Sequence, residues 1–362
     1  MVPLLPIALA LAVVTWWPRV SNLRSHLGAA PAPSPGSDPD SDSTEDQEDR
    51  RLAEAIDRVR ASTLALEYNS AEPTGTKRRI ATGVVFSPDG DVISVRVEPK
   101  EGKDRDSILA RDSFGHEHPV RFVASDPETG LTLLKVEARD ARPVRPTARA
   151  ALIGAAVFLV GHPYDLGQSV SVGNVAGLNR RVKYGPRPLT GLIHVQVSLH
   201  PGDSGALLAD RKGGWLGLIR GGGFTPDGKD DNSLGFAIPA PEALWIAEQL
   251  RANRKVDRAY LGVQFARKQS GRGALVFKVV TNSPAEKAGL QDGDRIVKID
   301  QTTIRNPDDL TDRLDRIAAG TEVTLEYDRG STIRSTLVRT TSRPSINEPV
   351  VKPSGSPNPS AP

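Results

Sequence analysis

His200-Pro201-Gly202-Asp203-Ser204-Gly205 is a short glycine-containing turn that decides how the rest of the chain is interpreted. A serine hydroxyl attacks a carbonyl only when a base takes its proton and backbone N–H groups receive the charge that develops on the carbonyl oxygen. Gly202 and Gly205 give the turn the freedom to point the N–H groups of Gly202 and Ser204 into one oxyanion pocket. Asp-Ser-Gly runs also form ordinary loops, so the surrounding sequence must support this interpretation.

Short apolar segments bounded by turn residues lie on both sides of this turn. A β-hairpin is predicted where a strand at 80–86 meets a turn at 87–90 and a second strand alternates between 93 and 97. Further strands are predicted at 131–136, 157–161, 168–175, 215–219 and 234–239, followed by a helix at 241–253. Many short strands at regular spacing indicate a β-barrel or a β-sandwich.

In this order, the segments resemble the HtrA/Deg family of serine endopeptidases over roughly residues 50 to 340. The resemblance implies a mostly β fold with two trypsin-like six-stranded β-barrels at 50–255, followed by a PDZ domain of the α+β class at 258–341. It also implies a His-Asp-Ser triad in which Ser204 is the nucleophile, with the Gly202 and Ser204 N–H groups as its oxyanion hole.

Two other residues stand where the family carries its base and its acid. The family pattern D-G-x-I-L-T-N-x-H-V, matched at 89–98, places its histidine at Val97, and no histidine lies between residues 27 and 115. The pattern D-x-x-x-D-L-A-L-L-K, matched at 126–135, places its aspartate at Gly130. Asp126 matches the first Asp of that pattern, but four extended residues separate the two positions by about 13 Å. We therefore expect both the base and the acid to be lost.

Two hypotheses for function remain open. Loss of the base alone costs a serine protease about 10⁶-fold in turnover, so a lone Ser204 is expected to be practically inert. The favoured hypothesis is a proteolytically inactive relative that binds peptides or unfolded proteins in protein quality control. The alternative is an active serine endopeptidase with a relocated base. His194 and His200 are the nearest candidates in sequence, and either would have to reach the Ser204 hydroxyl.

A second site is predicted in the C-terminal domain. The segment Tyr260-Leu261-Gly262-Val263 resembles the carboxylate-binding loop of PDZ domains, whose backbone N–H groups capture the C-terminus of a peptide that adds as a strand to a sheet edge. Ser283 followed by Pro284 predicts the start of a short helix, and Asn306 followed by proline predicts a longer one. The resemblance implies C-terminal peptides or unfolded proteins as partners, and a homotrimer as the assembly.

Composition limits the remaining classes of function. The net charge of +3 comes from 47 basic and 44 acidic residues that are evenly interleaved, which argues against nucleic-acid binding. The absence of cysteine excludes disulfides and thiol chemistry. His116 and His118 are close in sequence, but no convincing third ligand stands near them, so we predict neither a metal site nor a cofactor.

The N-terminal segment gives an expectation for location. Residues 1–30 contain an apolar run that ends at Trp17, which indicates a signal or a membrane anchor and hence a periplasmic or other extracytoplasmic position in the cell envelope. Residues 31–49 are rich in Pro, Ser, Asp and Glu and predict a disordered linker, from which a helix begins near Glu45. Residues 343–362 predict a disordered tail.

Overall fold

The structure is a computed structural model. The structure describes residues 44–72, 75–99, 108–137, 142–147, 149–183, 188–224, 230–266 and 269–344. The signal or anchor predicted at 1–30 lies outside these ranges, as do most of the predicted linker and nearly all of the predicted tail. Helix α1 (Thr44–Arg60) begins within the segment assigned to the linker, close to the predicted helix start. Among the described residues, no helix combines the length and apolar character needed to cross a bilayer.

The first barrel closes in the order β1-β2-β3-β6-β5-β4. Its strands are β1 (Thr63–Glu72), β2 (Gly75–Val85), β3 (Asp91–Val95), β4 (Ile108–Arg111), β5 (Glu117–Ser125) and β6 (Leu131–Val136). Every residue of β3 is buried, because Val92 packs inside this barrel whereas Ile93 and Val95 pack in the core shared with the second barrel. Strand β3 therefore lies where the two barrels meet.

The second barrel closes in the order β10-β11-β12-β9-β8-β7. Its strands are β7 (Ala156–Gly161), β8 (Ser169–Lys183), β9 (Pro188–Gln196), β10 (Leu207–Asp210), β11 (Trp215–Phe224) and β12 (Asp230–Pro239). Helix α2 (Ala240–Asn253) follows and buries Ile246 and Leu250 in the shared core, beside the fully buried Trp215. The predicted pair of six-stranded barrels is confirmed. Residues 200–205, called the nucleophile turn below, lie between β9 and β10.

The C-terminal domain is a twisted sheet with two helices. The sheet contains β14 (Val263–Phe265), β15 (Ala274–Val279), β16 (Arg295–Ile299), β18 (Glu322–Arg329) and β19 (Thr332–Arg339), with β17 (Thr302–Thr303) paired to β16. A separate ribbon pairs β13 (Ala259–Tyr260) with β20 (Thr341–Ser342). The core of the C-terminal domain consists mainly of aliphatic side chains, including those of Ile296, Leu310 and Leu325.

Local capping fixes both helices of this domain as the sequence predicts. Helix α3 (Pro284–Lys287) starts after Ser283, whose hydroxyl accepts the Glu286 N–H, and α4 (Pro307–Asp315) starts after Asn306, whose side chain accepts the Asp309 N–H. The Glu286 carboxylate reaches the Asn282 N–H, one residue before the N-cap. These caps hold α4 beside β13 and β15, where it forms one wall of the domain.

Candidate active site and peptide-binding loop

The nucleophile turn has a backbone that only glycine can adopt at one position. Gly202 has φ of +108°, and a Cβ there would lie 2.1 Å from the carbonyl oxygen of His162. Asp203 stabilises the turn from inside, because its carboxylate accepts the His200 N–H at 2.8 Å. Burial raises the pKa of the Asp203 carboxyl group above its usual range. The sequence Gly-Asp-Ser therefore gives this turn a fixed shape.

Ser204 is anchored to the first barrel. Its carbonyl oxygen accepts the Thr82 N–H at 2.9 Å, which ties the turn to β2. Its hydroxyl donates to the carbonyl oxygen of Val95 at 3.4 Å, at the end of β3. Among the described residues, which include five of the six histidines, no imidazole hydrogen-bonds this hydroxyl. The nucleophile position thus lies at the junction of the barrels, facing a backbone carbonyl group.

The oxyanion side of the turn is available. Neither the Gly202 N–H nor the Ser204 N–H donates a hydrogen bond to another described residue. The neighbouring N–H groups are engaged, since that of Asp203 bonds to His200 O and that of Gly205 bonds to Ile219 O. Two uncommitted N–H groups flanking a bonded one form the kind of pocket that binds a carbonyl oxygen or an anion.

Val97, the predicted position of the base, belongs to the core. It is fully buried among the apolar side chains of the first barrel. Its carbonyl oxygen accepts the Thr132 hydroxyl at 3.3 Å, and the preceding carbonyl, that of Arg96, accepts the Tyr68 hydroxyl at 2.8 Å. A valine side chain carries no proton acceptor, so this segment supplies packing and no base.

Gly130, the predicted acid position, lies next to Arg96 in space. The Arg96 N–H donates to Gly130 O at 2.7 Å, which joins the segment after β3 to the loop between β5 and β6. A Cβ atom at Gly130 would lie 3.3 Å from an Nη atom of Arg220, a buried residue of β11. The guanidinium of Arg220 therefore occupies the region into which a carboxylate at position 130 would project.

Asp126 has a structural partner of its own. Its two carboxylate oxygens accept bidentate hydrogen bonds from Arg258 at 2.9 and 2.7 Å, and both side chains are almost completely buried. Burial alone would raise the pKa of Asp126, but the bonds and charge of Arg258 hold it below its usual range. Arg343 adds an ion pair to Glu128 in the same loop at 3.1 Å. The loop that ends at Gly130 thus binds both ends of the C-terminal domain.

The candidate replacement bases, His194 and His200, both contact side chains other than Ser204, as does the nearby His162. His194 stacks on Phe236 with ring centroids 5.1 Å apart, and burial lowers its pKa. His200 is exposed and packs against the Tyr164 ring at 5.5 Å. His162 is buried below the turn, 3.3 Å from the Thr82 hydroxyl, and burial lowers its pKa to about 4. Each of these imidazoles has a packing or hydrogen-bonding neighbour other than Ser204.

The predicted peptide-binding loop has the geometry of an anion-capturing turn. Leu261 and Gly262 use their carbonyl groups to accept the Ala285 and Val280 N–H groups at 2.8 Å, while their own N–H groups donate to no described residue. Gly262 has φ of +83°, and a Cβ there would lie 2.1 Å from the Cβ of Ser283. Tyr260 pairs with β20, and Val263 begins β14, which pairs with β15 on one side.

Two family models match the chain, one over the nucleophile turn and one over the predicted peptide-binding loop. Residues 81–218 match the trypsin-like peptidase domain, and residues 259–340 match the PDZ domain. The chain is 32% identical over 269 residues to a probable periplasmic serine endoprotease DegP-like of Pseudomonas fulva, an alignment that covers 69% of the chain and 53% of that relative. The chain belongs to the HtrA family. It spans about half the length of the curated HtrA relatives that it matches.

Other HtrA proteins extend the likeness. The chain is 32% identical to protease Do-like 1, chloroplastic, of Arabidopsis thaliana, over 58% of the chain and 52% of that relative. Among solved structures, the HtrA-type protease AlgW with a tripeptide superposes with a TM-score of 0.67 at 23% identity, covering 82% of the chain and 99% of its own. The serine endoprotease from Yersinia pestis gives a TM-score of 0.60 at 23% identity, covering 81% and 98%. These similarities in structure show that the HtrA fold is shared.

Two residues of this HtrA cleft were not identified from the sequence. Arg220 ends an apolar run at 215–219, so the only available signal was a charged residue at the end of a buried strand. His162 follows β7, and no sequence pattern connects it to Thr82, which lies 80 residues earlier. Both contacts join segments that are far apart in the chain.

Proposed function

We propose that this protein is a proteolytically inactive HtrA-family member that binds C-terminal peptides or unfolded proteins through its PDZ domain. The observation that carries the proposal is the hydrogen bond from the Ser204 hydroxyl to Val95 O. In addition, Val97 is buried, and a Cβ atom at Gly130 would contact the guanidinium of Arg220. A carbonyl oxygen accepts a hydrogen bond but is too weak a base to remove the proton of a hydroxyl, so Ser204 is not activated for attack. Protein quality control in the cell envelope is the process that this role would serve.

The size of the expected defect supports binding over hydrolysis. Removing the base alone costs about 10⁶-fold in a serine protease, since the three triad residues act as a unit. Here the acid position is substituted as well, and Arg220 places a cation where the triad requires an anion. An imidazolium formed during catalysis would be destabilised at that place.

An active serine endopeptidase with a relocated base is the alternative. Its support is the intact nucleophile turn, which offers two unengaged N–H groups, and the names of relatives such as the DegP-like endoproteases. His200 lies four residues before Ser204, but its ring packs on Tyr164. This alternative requires an imidazole to leave its present contacts and reach Ser204.

Peptide binding is supported by the loop that precedes β14. The N–H groups of Leu261 and Gly262 are unengaged among the described residues, as a captured carboxylate would require. The β14 edge that faces away from β15 is the place where a peptide strand would add. Charge-assisted hydrogen bonds from backbone N–H groups to a carboxylate are about twice as strong as neutral ones.

Fluorescence polarisation with labelled hexapeptides of varied C-terminal residue tests this role. We expect selected peptides to bind, and their C-terminal amides to bind roughly 10- to 100-fold more weakly, because a charged hydrogen-bonded group contributes about 1.5–3 kcal/mol. Val263→Glu should weaken binding by placing an anion at the start of β14. Ile333→Glu, on the exposed face of β19, is the matched control. Equal binding of acids and amides would contradict the proposed capture mode.

The homotrimer implied by the family resemblance also remains a proposal. Large exposed apolar side chains in β8 and in the segments before it support it. These are Leu152, Ile153, Tyr164, Leu166 and Val172. Leu166 is 81% exposed, and exposed apolar side chains that group on a surface mark candidate interaction sites. Multi-angle light scattering should give three times the chain mass, and Leu166→Asp together with Val172→Asp should give the single-chain mass.

An envelope location is proposed on the basis of the relatives. Several of the similar proteins are described as periplasmic, and the apolar run at 1–30 fits export or anchoring. Fractionation of cells that express the full chain, before and after carbonate extraction, tests both parts. Recovery in the cytoplasmic fraction would contradict the envelope proposal.

A further inference from the structure

A charged surface pocket lies on the first barrel, and its lining includes no residue of the nucleophile turn or of the PDZ loop. Its volume is about 200 Å³, and it lies between the β2–β3 turn, strands β5 and β6, and the end of α2. Six of its lining side chains are charged: Asp89, Asp91, Arg121, Lys135, Arg251 and Arg254. Four of these are cations and two are anions, so the lining has a net positive charge.

Asp91 engages two of the four cations. It is buried, and its carboxylate accepts Lys135 at 3.1 Å and Arg251 at 3.4 Å, together with the Ser87 hydroxyl at 2.9 Å. The carboxylate thereby fixes the heads of Lys135 and Arg251 at the pocket. Since Lys135 comes from β6 and Arg251 from α2, the ion pairs also join the barrel wall to the helix.

Arg121 and Arg254 complete the lining without a carboxylate of their own. Within the described ranges, neither guanidinium forms an ion pair with an acidic side chain. Arg254 is held at the pocket because its N–H caps α2 by donating to Leu250 O, and its guanidinium donates to Val123 O at 3.4 Å. Arg121 lies two residues before Val123 on the same strand.

A simpler explanation accounts for only part of this arrangement. Basic residues are favoured at helix C-termini, which explains Arg251 and Arg254 at the end of α2. It does not explain why Arg121 and Lys135, from two strands of the barrel, line the same pocket. The four cations, which come from three elements, line one concave space and outnumber its two anions. The resulting positive potential favours the binding of an anion.

We propose that this pocket binds a phosphate group. Guanidinium groups recognise phosphate through paired N–H donors, and Arg121 and Arg254 are the two side chains available for this. A phosphate monoester carries a charge of about −1.5 to −2 near neutral pH, which matches the excess of two cations over anions in the lining. The volume is sufficient for the phosphate and a small esterified group. Because Arg254 begins the segment leading from α2 to the PDZ domain, bound phosphate would also fix the start of that segment.

Isothermal titration calorimetry of the full chain tests the site. Inorganic phosphate and glycerol phosphate are titrated separately at pH 7.5, with sodium chloride adjusted to constant ionic strength. We expect saturable one-site binding of at least one of them. Tighter binding of glycerol phosphate would indicate an esterified ligand, and equal or tighter binding of inorganic phosphate would indicate the free ion.

Three variants separate the pocket from general charge effects. Arg121→Ala and Arg254→Ala should each weaken binding at least tenfold, whereas Arg339→Ala, an exposed arginine of β19, should leave it unchanged. Arg121 and Arg254 are exposed, so their replacement should leave the unfolding temperature nearly unchanged. Absence of saturable binding, or equal weakening in all three variants, would overturn the proposal.

Discussion

The turn at Gly202 and Ser204 and the turn at Leu261 and Gly262 both present backbone N–H groups that donate to no described residue, and the two turns differ in what surrounds them. Catalysis at the turn of Gly202 and Ser204 would require a base and an acid from the other barrel, and the family patterns predict those positions at Val97 and Gly130. The turn at Leu261 and Gly262 requires only its own backbone and an open strand edge. A carboxylate-binding loop is therefore complete within one local segment, whereas catalysis depends on side chains contributed by distant segments.

Replacement of Arg220, which lies beside Gly130, is expected to give the largest effect among the tests of this comparison. We expect Val97→His with Gly130→Asp to stay far less active than the same pair combined with Arg220→Ser. A carboxylate at 130 would pair with the guanidinium and would not orient the imidazole. Failure to orient the base costs up to about 10⁴-fold in kcat. Hydrolysis of a fluorogenic peptide measures the difference, and equal rates for the two variants would show that Arg220 does not interfere.

The loop between β5 and β6, which contains Asp126, should contribute to the stability of the folded protein. Asp126→Ala leaves the Arg258 guanidinium buried without its bidentate partner, which should lower the free energy of unfolding by about 3–5 kcal/mol. Asp57→Ala removes an exposed pair with Arg60 and should cost less than about 1 kcal/mol. Urea unfolding measures both. If the two variants lost the same small amount, this loop would not be a principal attachment of the PDZ domain.

The buried imidazole beneath the nucleophile turn should make stability depend on pH. The pKa of His162 is about 4 in the folded protein, against about 6.5 when unfolded, so the unfolded chain binds the extra proton between these values. The contribution of neutral His162 to the free energy of unfolding is therefore present above pH 6.5 and is lost as the pH drops toward 4. About 2 kcal/mol of unfolding free energy is lost between pH 7 and pH 5.

Replacing that imidazole provides the control. His162→Asn keeps a polar group near the Thr82 hydroxyl and removes the titrating ring. The difference in unfolding free energy between pH 7 and pH 5 should shrink by most of the 2 kcal/mol contribution, to about that of the remaining groups. An unchanged pH profile in the variant would mean that His162 is solvated in the folded state.

Features encoded locally could be predicted from the sequence. The helix starts after Ser283 and Asn306 follow from capping residues, and the strands around the nucleophile turn follow from short apolar runs between turn residues. The family patterns assign the triad base and acid positions to Val97 and Gly130, and this assignment stays a prediction. These features depend on a few neighbouring residues or on a shared fold.

Long-range partners could not be predicted. Arg258 meets Asp126 across 132 residues of sequence, and Arg220 approaches Gly130 from the other barrel. An arginine in a sequence gives no indication of which distant carboxylate or cavity it will reach. The sequence therefore predicts which triad residues are substituted, whereas the approach of Arg220 to Gly130 is visible only in the folded chain.

The reactivity of Ser204 is the most direct test of the central claim that the cleft is not catalytic. The purified full chain and its Ser204→Ala variant are incubated with unfolded casein and, separately, with a fluorophosphonate probe. We predict no cleavage above that of the variant and no labelling of Ser204. Cleavage and labelling that both disappear in Ser204→Ala would contradict the account, and would mean that an imidazole reaches the hydroxyl that here donates to Val95 O.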